Sequence, residues 1–393
     1  MNKGDFMKLR KGHLYIIVTL CFVISFVAIN CKYDRFYRVN GINNDNRALI
    51  EMYLDEQEQE YLIENAIPVN EFIKYITYSE FNLEYYQFYN ALDKTKKYSN
   101  YDELISVANQ LANKLEVAYG NDAISYCDTL VHNDLVLAYI NQDSFDFDNI
   151  DYYQLIRSIY DESDYSYISD TNKYIQIMQE DEDLNDDDLY DQVKELSANF
   201  TKTSLATLFN TELQPNAQRI YNPSEPTLVV NNTTYIGGYE PKNLVTTLGI
   251  PRTNYSMYLQ EETFNHLLEM YRACYQECGS GMILTKAYVG YDVATLEDRG
   301  VVAGYNEFQL GNTVTLQQLE ISVEDFVETE IYQWLLNHSY EYGFVLRYPA
   351  DKTIITGHEF NPTIFRYVGV EVATTMHQQN LCLEEYNNLN VNE

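Results

Sequence analysis

Tyr342-Gly343-Phe344-Val345-Leu346-Arg347-Tyr348-Pro349 decides the reading of the C-terminal half. Its apolar core Phe344-Val345-Leu346 is short, has a β-branched centre and ends near a proline, the pattern of a strand. Met282-Ile283-Leu284 is a second strand candidate, and Thr227 to Val230 is a β-like run further upstream. Between them, Leu259 to Glu277 carries amphipathic helical spacing that Gly279 and Gly281 stop, and Val323 to Tyr342 is expected as a further helix. Helices interleaved with short strands predict an α+β domain, a small antiparallel sheet with flanking helices, over 227–390.

Upstream, Asn222-Pro223-Ser224-Glu225-Pro226 places two prolines among turn formers, so 222–226 is expected to be a linker. Residues 32–221 are acidic, rich in tyrosine and helical in pattern, with Ile105, Ala108, Leu111, Leu115 and Ala118 at steps of three and four. A weak repeat sets Tyr75-Ile76, Phe81 and Tyr85-Tyr86-Gln87 beside Tyr139-Ile140, Phe145 and Tyr152-Tyr153-Gln154, with Tyr174-Ile175 and Leu189-Tyr190 as a degenerate third copy. Repeated helical pairs stack to share a core, which would make this half a spacer or a binding surface. The run Glu180 to Asp188 sets Asp181, Asp183 and Asn185 at alternate positions, but Asp186 and Gln192 stand where a calcium loop needs Gly and Glu. A solvated acidic loop is the expectation there.

A chain of 393 residues exceeds one compact core, so two folded units and a targeting segment are expected. The net charge of -33, from 59 acidic against 26 basic residues, repels phosphate backbones and argues against a nucleic-acid partner. Lys3, Lys8, Arg10 and Lys11 precede the apolar run Tyr15 to Ile29, the charge order of a secretory signal or signal anchor over 1–31. Cys31 stands where a bacterial lipoprotein box places its lipidated cysteine, although such boxes prefer Gly, Ala or Ser at the position of Asn30. An uncleaved membrane anchor is the first reading and lipidation the second. Both put the bulk of the chain outside the cell membrane. Six cysteines make no framework, and the neighbours Cys274 and Cys278 read as ordinary thiols one helical turn apart.

The segments Leu228-Val229-Val230-Asn231, Tyr239-Glu240-Pro241, Trp334-Leu335, Tyr342 to Pro349, Ile355-Thr356-Gly357 and Arg366-Tyr367-Val368-Gly369 keep an order and spacing that resembles the VanY-type D-alanyl-D-alanine carboxypeptidases, of the LAS-type zinc metallopeptidase fold. The resemblance implies a zinc ion held by the His of a Ser-x-His, by a following Asp and by the His of a Glu-x-x-His, whose Glu is the base. Two imidazoles and a carboxylate leave a coordination position for the attacking water.

Every one of those positions is altered. Alignment on Gly304, Glu307, Gln309 and Gly311 gives Asn306 for the Ser, Phe308 for the first His and Thr315 for the Asp. Alignment on Pro362 and Arg366-Tyr367 gives Asn361 for the catalytic Glu and Ile364 for the second His. In the family's Ser-Gly-Tyr-Arg substrate segment Tyr288 remains, but Val289 replaces the Arg that would pair with a peptide carboxylate. Tyr288, Val289, Glu307, Gln309 and Arg366 are the candidate cleft residues. His266, His338, His358, Glu359 and His377 could in principle rebuild a metal site, but isolated histidines read as packing or surface residues. The resemblance with these losses implies a membrane-anchored pseudo-peptidase without zinc that binds peptidoglycan stem peptides or a cell-wall protein. Its rivals are an active zinc D,D-carboxypeptidase trimming the terminal D-Ala of stem peptides, and a structural surface protein acting through its helical half.

Overall fold

The computed structural model describes the backbone of residues 3–33, 35–181, 184–296 and 302–390, and side chains within 12–28, 35–181, 184–293 and 302–389. Cys31 and Asp183, both weighed above, fall outside the described side chains. The chain divides into Met1–Phe145 and Asp146–Glu393. The proline-bounded stretch 222–226, expected as the domain boundary, therefore lies inside the second unit. Contacts made by its neighbours explain this. Arg219 donates to Asp181 at 3.0 Å and to the Leu208 carbonyl at 3.1 Å, and the Tyr221 hydroxyl donates to Asp181 at 2.9 Å. These bonds tie the segment just before the linker to helices further upstream in the same unit.

The regular elements described in the first unit are all helical. Helix Lys3–Tyr33 leaves Leu14, Ile16, Phe22 and Val23 more than half exposed. Among the described residues no helix is long and apolar enough to cross a membrane. Helix Tyr101–Tyr119 starts where the Asn100 side chain accepts the Glu103 backbone N–H at 2.8 Å, which satisfies one of the unpaired donors of its first turn. It buries Leu104, Ile105, Ala108, Leu111 and Leu115, whereas Ala118 is exposed in the last turn.

The tyrosine repeat has a structural counterpart that keeps the pairing of Tyr75 with Tyr139 and of Phe81 with Phe145 and shifts only the last pair. In the first unit the Tyr89 hydroxyl accepts the Asn82 backbone N–H at 3.0 Å and donates to Asn109 at 2.6 Å. In the second unit the Tyr153 hydroxyl accepts the Asp146 backbone N–H at 3.0 Å and donates to Asn172 at 2.6 Å. Asn82 and Asp146 each cap the following turn with their own side chains. Tyr153 therefore corresponds to Tyr89, and not to Tyr86 as the sequence comparison set it, because the buried hydroxyl and its capping loop define the repeat.

The second unit carries all eight strands found among the described residues. β1 (Gln218–Arg219) and β2 (Thr234–Tyr235) form a parallel pair, and β3 (Leu244–Thr246) and β4 (Tyr258–Gln260) an antiparallel one. β5 (Ile283–Lys286), β6 (Thr313–Gln317), β7 (Phe344–Tyr348) and β8 (Asn361–Tyr367) form an antiparallel sheet in the order β5-β6-β8-β7. Period-two alternation gives this sheet two distinct faces. One carries Leu284, Val314, Leu316, Phe344, Phe365 and Tyr367 into a core shared with helices Glu261–Cys278 and Glu330–His338. The other carries Thr313, Thr315, Ile364 and Arg366, among them the two positions, Thr315 and Ile364, that the resemblance aligns with zinc ligands.

Two segments depart from the elements expected of them. Thr227 to Val230 forms no strand; the carbonyls of Pro226, just before it, and of Leu228, within it, instead accept from the Arg366 guanidinium at 3.0 and 3.2 Å. The segment Val323 to Tyr342 is not one helix, because Thr329 accepts the Tyr332 N–H at 3.1 Å and caps a new helix, Glu330–His338, after the short Val323–Phe326 turn.

Candidate functional site

Antiparallel pairing places directly opposed residues on one face of a sheet with their side chains adjacent. Lys286 on β5 opposes Thr315 on β6, and Thr315 opposes Ile364 on β8. Two of the four positions that the resemblance assigns to zinc ligation and catalysis are thus neighbours across the sheet, joined by a lysine that sequence reasoning had not singled out. Phe308 belongs to the turn Glu307–Leu310 just before β6, and the Lys286 ammonium lies 4.4 Å from the centroid of its ring. This is cation–π distance. Asn306 caps the turn by accepting the Phe308 N–H at 3.0 Å, and Asn361 accepts from the Thr363 N–H and hydroxyl at 3.0 and 2.8 Å.

A phenyl ring, a sec-butyl group and a hydroxyl do not make a zinc site, since the ion requires imidazole, thiolate or carboxylate donors. Phe308, Thr315, Ile364 and Asn361 do not fit the metal the resemblance implies. Among the described residues no group of three His, Cys, Asp or Glu side chains is placed to hold an ion. The histidines are engaged elsewhere: His266 stacks on Tyr367, His338 on Trp334 and His377 on Tyr340, while His358 lies against Tyr348 with centroids 4.5 Å apart. Cys274 is buried on helix Glu261–Cys278, and burial pushes its thiol up to about 12.

Glu307 and Arg366, expected to line the cleft, are buried in an ion network. Glu307 accepts from Arg347 Nε at 2.8 Å and from Arg366 Nη1 at 2.8 Å, and Arg347 reaches Glu384 through Nη1 and Nη2 at 3.1 and 2.8 Å. Burial raises the Glu307 carboxyl, but the two guanidiniums against it outweigh that effect and hold it below the ordinary carboxylate range. Gln309 is also fully buried. Its amide donates to the Gly237 and Tyr239 carbonyls, both at 2.9 Å, and its oxygen accepts the Gly304 N–H. These three residues hold the turn that presents Phe308. Their charge and spacing in sequence resemble a binding site, and only burial shows them to be frame.

Tyr288 and Val289 do line a cleft, of about 770 Å³, within the second unit. Lys286, Glu240 and Asp292 supply its charges, and Ser204 and Thr207 of helix Lys202–Asn210 form a hydroxyl-bearing wall. The Tyr288 N–H donates to the Tyr258 carbonyl at 3.0 Å and the Val289 N–H to the Phe308 carbonyl at 3.3 Å, so the cleft floor is bonded to the turn that carries Phe308. Burial and the nearby Glu240 carboxylate push the Tyr288 phenol up, leaving it a neutral donor. The wall from helix Lys202–Asn210 had no signal in the sequence, because a solvent-facing Ser and Thr on an amphipathic helix carry none.

A small antiparallel sheet with helices on one face and a polar cleft at its edge strand defines an α+β domain. Residues 256–370 match the family model VanY, D-alanyl-D-alanine carboxypeptidase. A D-alanyl-D-alanine carboxypeptidase of Enterococcus faecalis (strain ATCC 700802 / V583) is 47% identical over 89 residues, which are 22% of this chain and 31% of that protein. The match thus spans less than a third of that relative. Among solved structures, the LdcB LD-carboxypeptidase is 27% identical with a TM-score of 0.41, covering 45% of this chain and 92% of that one. VanYB in complex with D-alanine-D-alanine is 29% identical with a TM-score of 0.34, covering 42% of this chain and 97% of that one.

Proposed function

We propose that this chain is a pseudo-peptidase, a VanY-type domain that binds peptidoglycan stem peptides without cutting them. The row Lys286, Thr315, Ile364 with Phe308 beneath the lysine carries the reading, because it stands where the resemblance expects zinc and its base. Without a ligand set there is no activated water and no polarised carbonyl, while the cleft beside Tyr288 is retained. Stem-peptide binding is supported by the family match and by the VanYB complex. The apolar surface of helix Lys3–Tyr33, behind Lys8, Arg10 and Lys11, supports attachment to the outer face of the cell membrane.

The purified full chain is expected to contain no stoichiometric zinc and to release no D-Ala from a pentapeptide. Zinc near one equivalent, or chelator-sensitive release of D-Ala, overturns the reading. It would establish instead the second one, an active zinc D,D-carboxypeptidase, which the identity to the Enterococcus faecalis enzyme favours. Protease added to intact protoplasts is expected to digest the chain beyond residue 31, and full protection would refute the topology. Loss of attachment in Cys31→Ser would assign a lipid anchor.

A further inference from the structure

We infer that the cleft is a composite saccharide site, walled on one side by helix Lys202–Asn210 and fitted to a neutral disaccharide. That helix lies outside residues 256–370, the stretch matched by the family model, yet it lines the cavity. Its docking is close. Gly237 adopts φ +55°, and a Cβ there would lie 2.8 Å from the Leu208 Cα, while a Cβ on Gly238 would lie 3.2 Å from the Ser204 Cα. Only glycine lets the two backbones approach so nearly. Arg219 Nε donates to the Leu208 carbonyl at 3.1 Å and the Tyr235 hydroxyl to the Thr207 carbonyl at 3.4 Å, so the parallel pair β1–β2 is bonded to the same helix. Thr203, Ser204 and Thr207, at steps of three and four, thereby share the cavity lining with Tyr239, Tyr258 and Tyr288.

The chemistry of the lining selects the class of ligand. Lys286 is held over the Phe308 ring, and Asp292 is engaged within the protein. What remains for a ligand is a set of hydroxyls, phenols and amides with the exposed Glu240 carboxylate. The Thr207 hydroxyl donates to the Thr203 carbonyl at 3.0 Å, so its lone pairs meet a ligand as acceptors, as do those of Glu240. The neutral Tyr288 phenol is a donor, and Asn254, whose side-chain oxygen accepts the Ser256 N–H at 2.9 Å, carries amide N–H donors. A sugar hydroxyl both donates and accepts, so a ring bearing several of them answers this mixture, and its C–H face packs on a tyrosine ring. An anionic sugar would meet the Glu240 carboxylate. The cavity, about 770 Å³, has room for two such rings.

Saturation-transfer NMR and isothermal titration of the full chain with cellobiose, N,N′-diacetylchitobiose and the anionic digalacturonate test the assignment. At least one of the two neutral disaccharides is expected to bind, and more tightly than digalacturonate. Thr207→Val keeps the shape of the side chain and removes its hydroxyl, and Tyr288→Phe removes the phenol. Each is expected to weaken binding about 5-fold, the loss of one hydrogen bond of about 1 kcal/mol. Melting curves of both variants establish that they are folded. Binding of neither neutral disaccharide, equal binding of digalacturonate, or unchanged affinity in both variants overturns the assignment. The titrations contain no peptide, so their failure leaves the stem-peptide reading standing. Disaccharide binding by a chain that binds no stem peptide upholds the saccharide site and removes that reading.

Discussion

The Arg366 guanidinium and the Glu307 carboxylate meet at 2.8 Å with both side chains out of solvent, and Arg347 closes on the same carboxylate from the adjacent strand. One acid thus balances two cations, with Glu384 completing the set through Arg347. Arg366 also holds the carbonyls of Pro226 and Leu228, so the network ties the entry segment to β8.

Replacing Glu307 with Gln leaves two buried guanidiniums without their counter-charge. Breaking a buried pair by removing one partner costs about 3–5 kcal/mol. Urea denaturation of Glu307→Gln at neutral pH is expected to show a loss of that order, and a loss under about 1 kcal/mol would mean that the arginines find other partners.

The same carboxylate sets a pH dependence. Its folded pKa lies below the ordinary value of 4.5, so it contributes stability above that value and loses it as pH falls through the depressed folded value. Acid titration of the parent should show this loss below about pH 4.5. The stability difference between parent and Glu307→Gln should shrink over the same range, and a constant difference would exclude Glu307 as the titrating group.

Tyr89→Phe and Tyr153→Phe should have matching effects, because each removes a buried hydroxyl that serves a loop N–H and an asparagine. Leaving such groups unpaired costs about 1–3 kcal/mol. Similar losses of melting temperature for the two variants, with Tyr86→Phe near neutral, would verify the register of the repeat.

Gly304 adopts φ +81°, and a Cβ there would lie 2.2 Å from Tyr235 Cε2. The left-handed conformation alone costs a side-chain-bearing residue about 1–2 kcal/mol, before the clash. Gly304→Ala is expected to destabilise the chain by more than that in thermal melts, and a neutral outcome would show that Tyr235 moves aside.

The combined variant Phe308→His, Thr315→Asp, Asn361→Glu and Ile364→His asks whether the frame of a metal site persists. Thr315 and Ile364 are direct neighbours, so polar groups placed there without a metal should lower the melting temperature. Added zinc should recover part of the loss. A variant as stable as the parent without metal would show that these positions no longer converge.

Sequence alone determined the α+β class and the VanY resemblance, and it showed which residue types stand at the positions the resemblance aligns with zinc donors. Strand and helix periods are local, and replacing a His by Phe308 or Ile364 is a statement of chemistry that needs no coordinates. It also placed Tyr288 and Val289 in a cleft. It set 222–226 as a boundary because prolines and turn formers are local signals, whereas Arg219 and Tyr221 bond back to Asp181 from far along the chain. β8, which pairs on both sides, was hidden because Pro362 and the buried Arg366 break the apolar pattern of an inner strand. Only the tertiary structure decided that Glu307, Gln309 and Arg366 are frame, since a charge in sequence does not say whether it is solvated or neutralised by partners many residues away. Only the tertiary structure, too, set Lys286 over Phe308 and opposite Thr315, because cross-strand register joins residues that no local spacing relates.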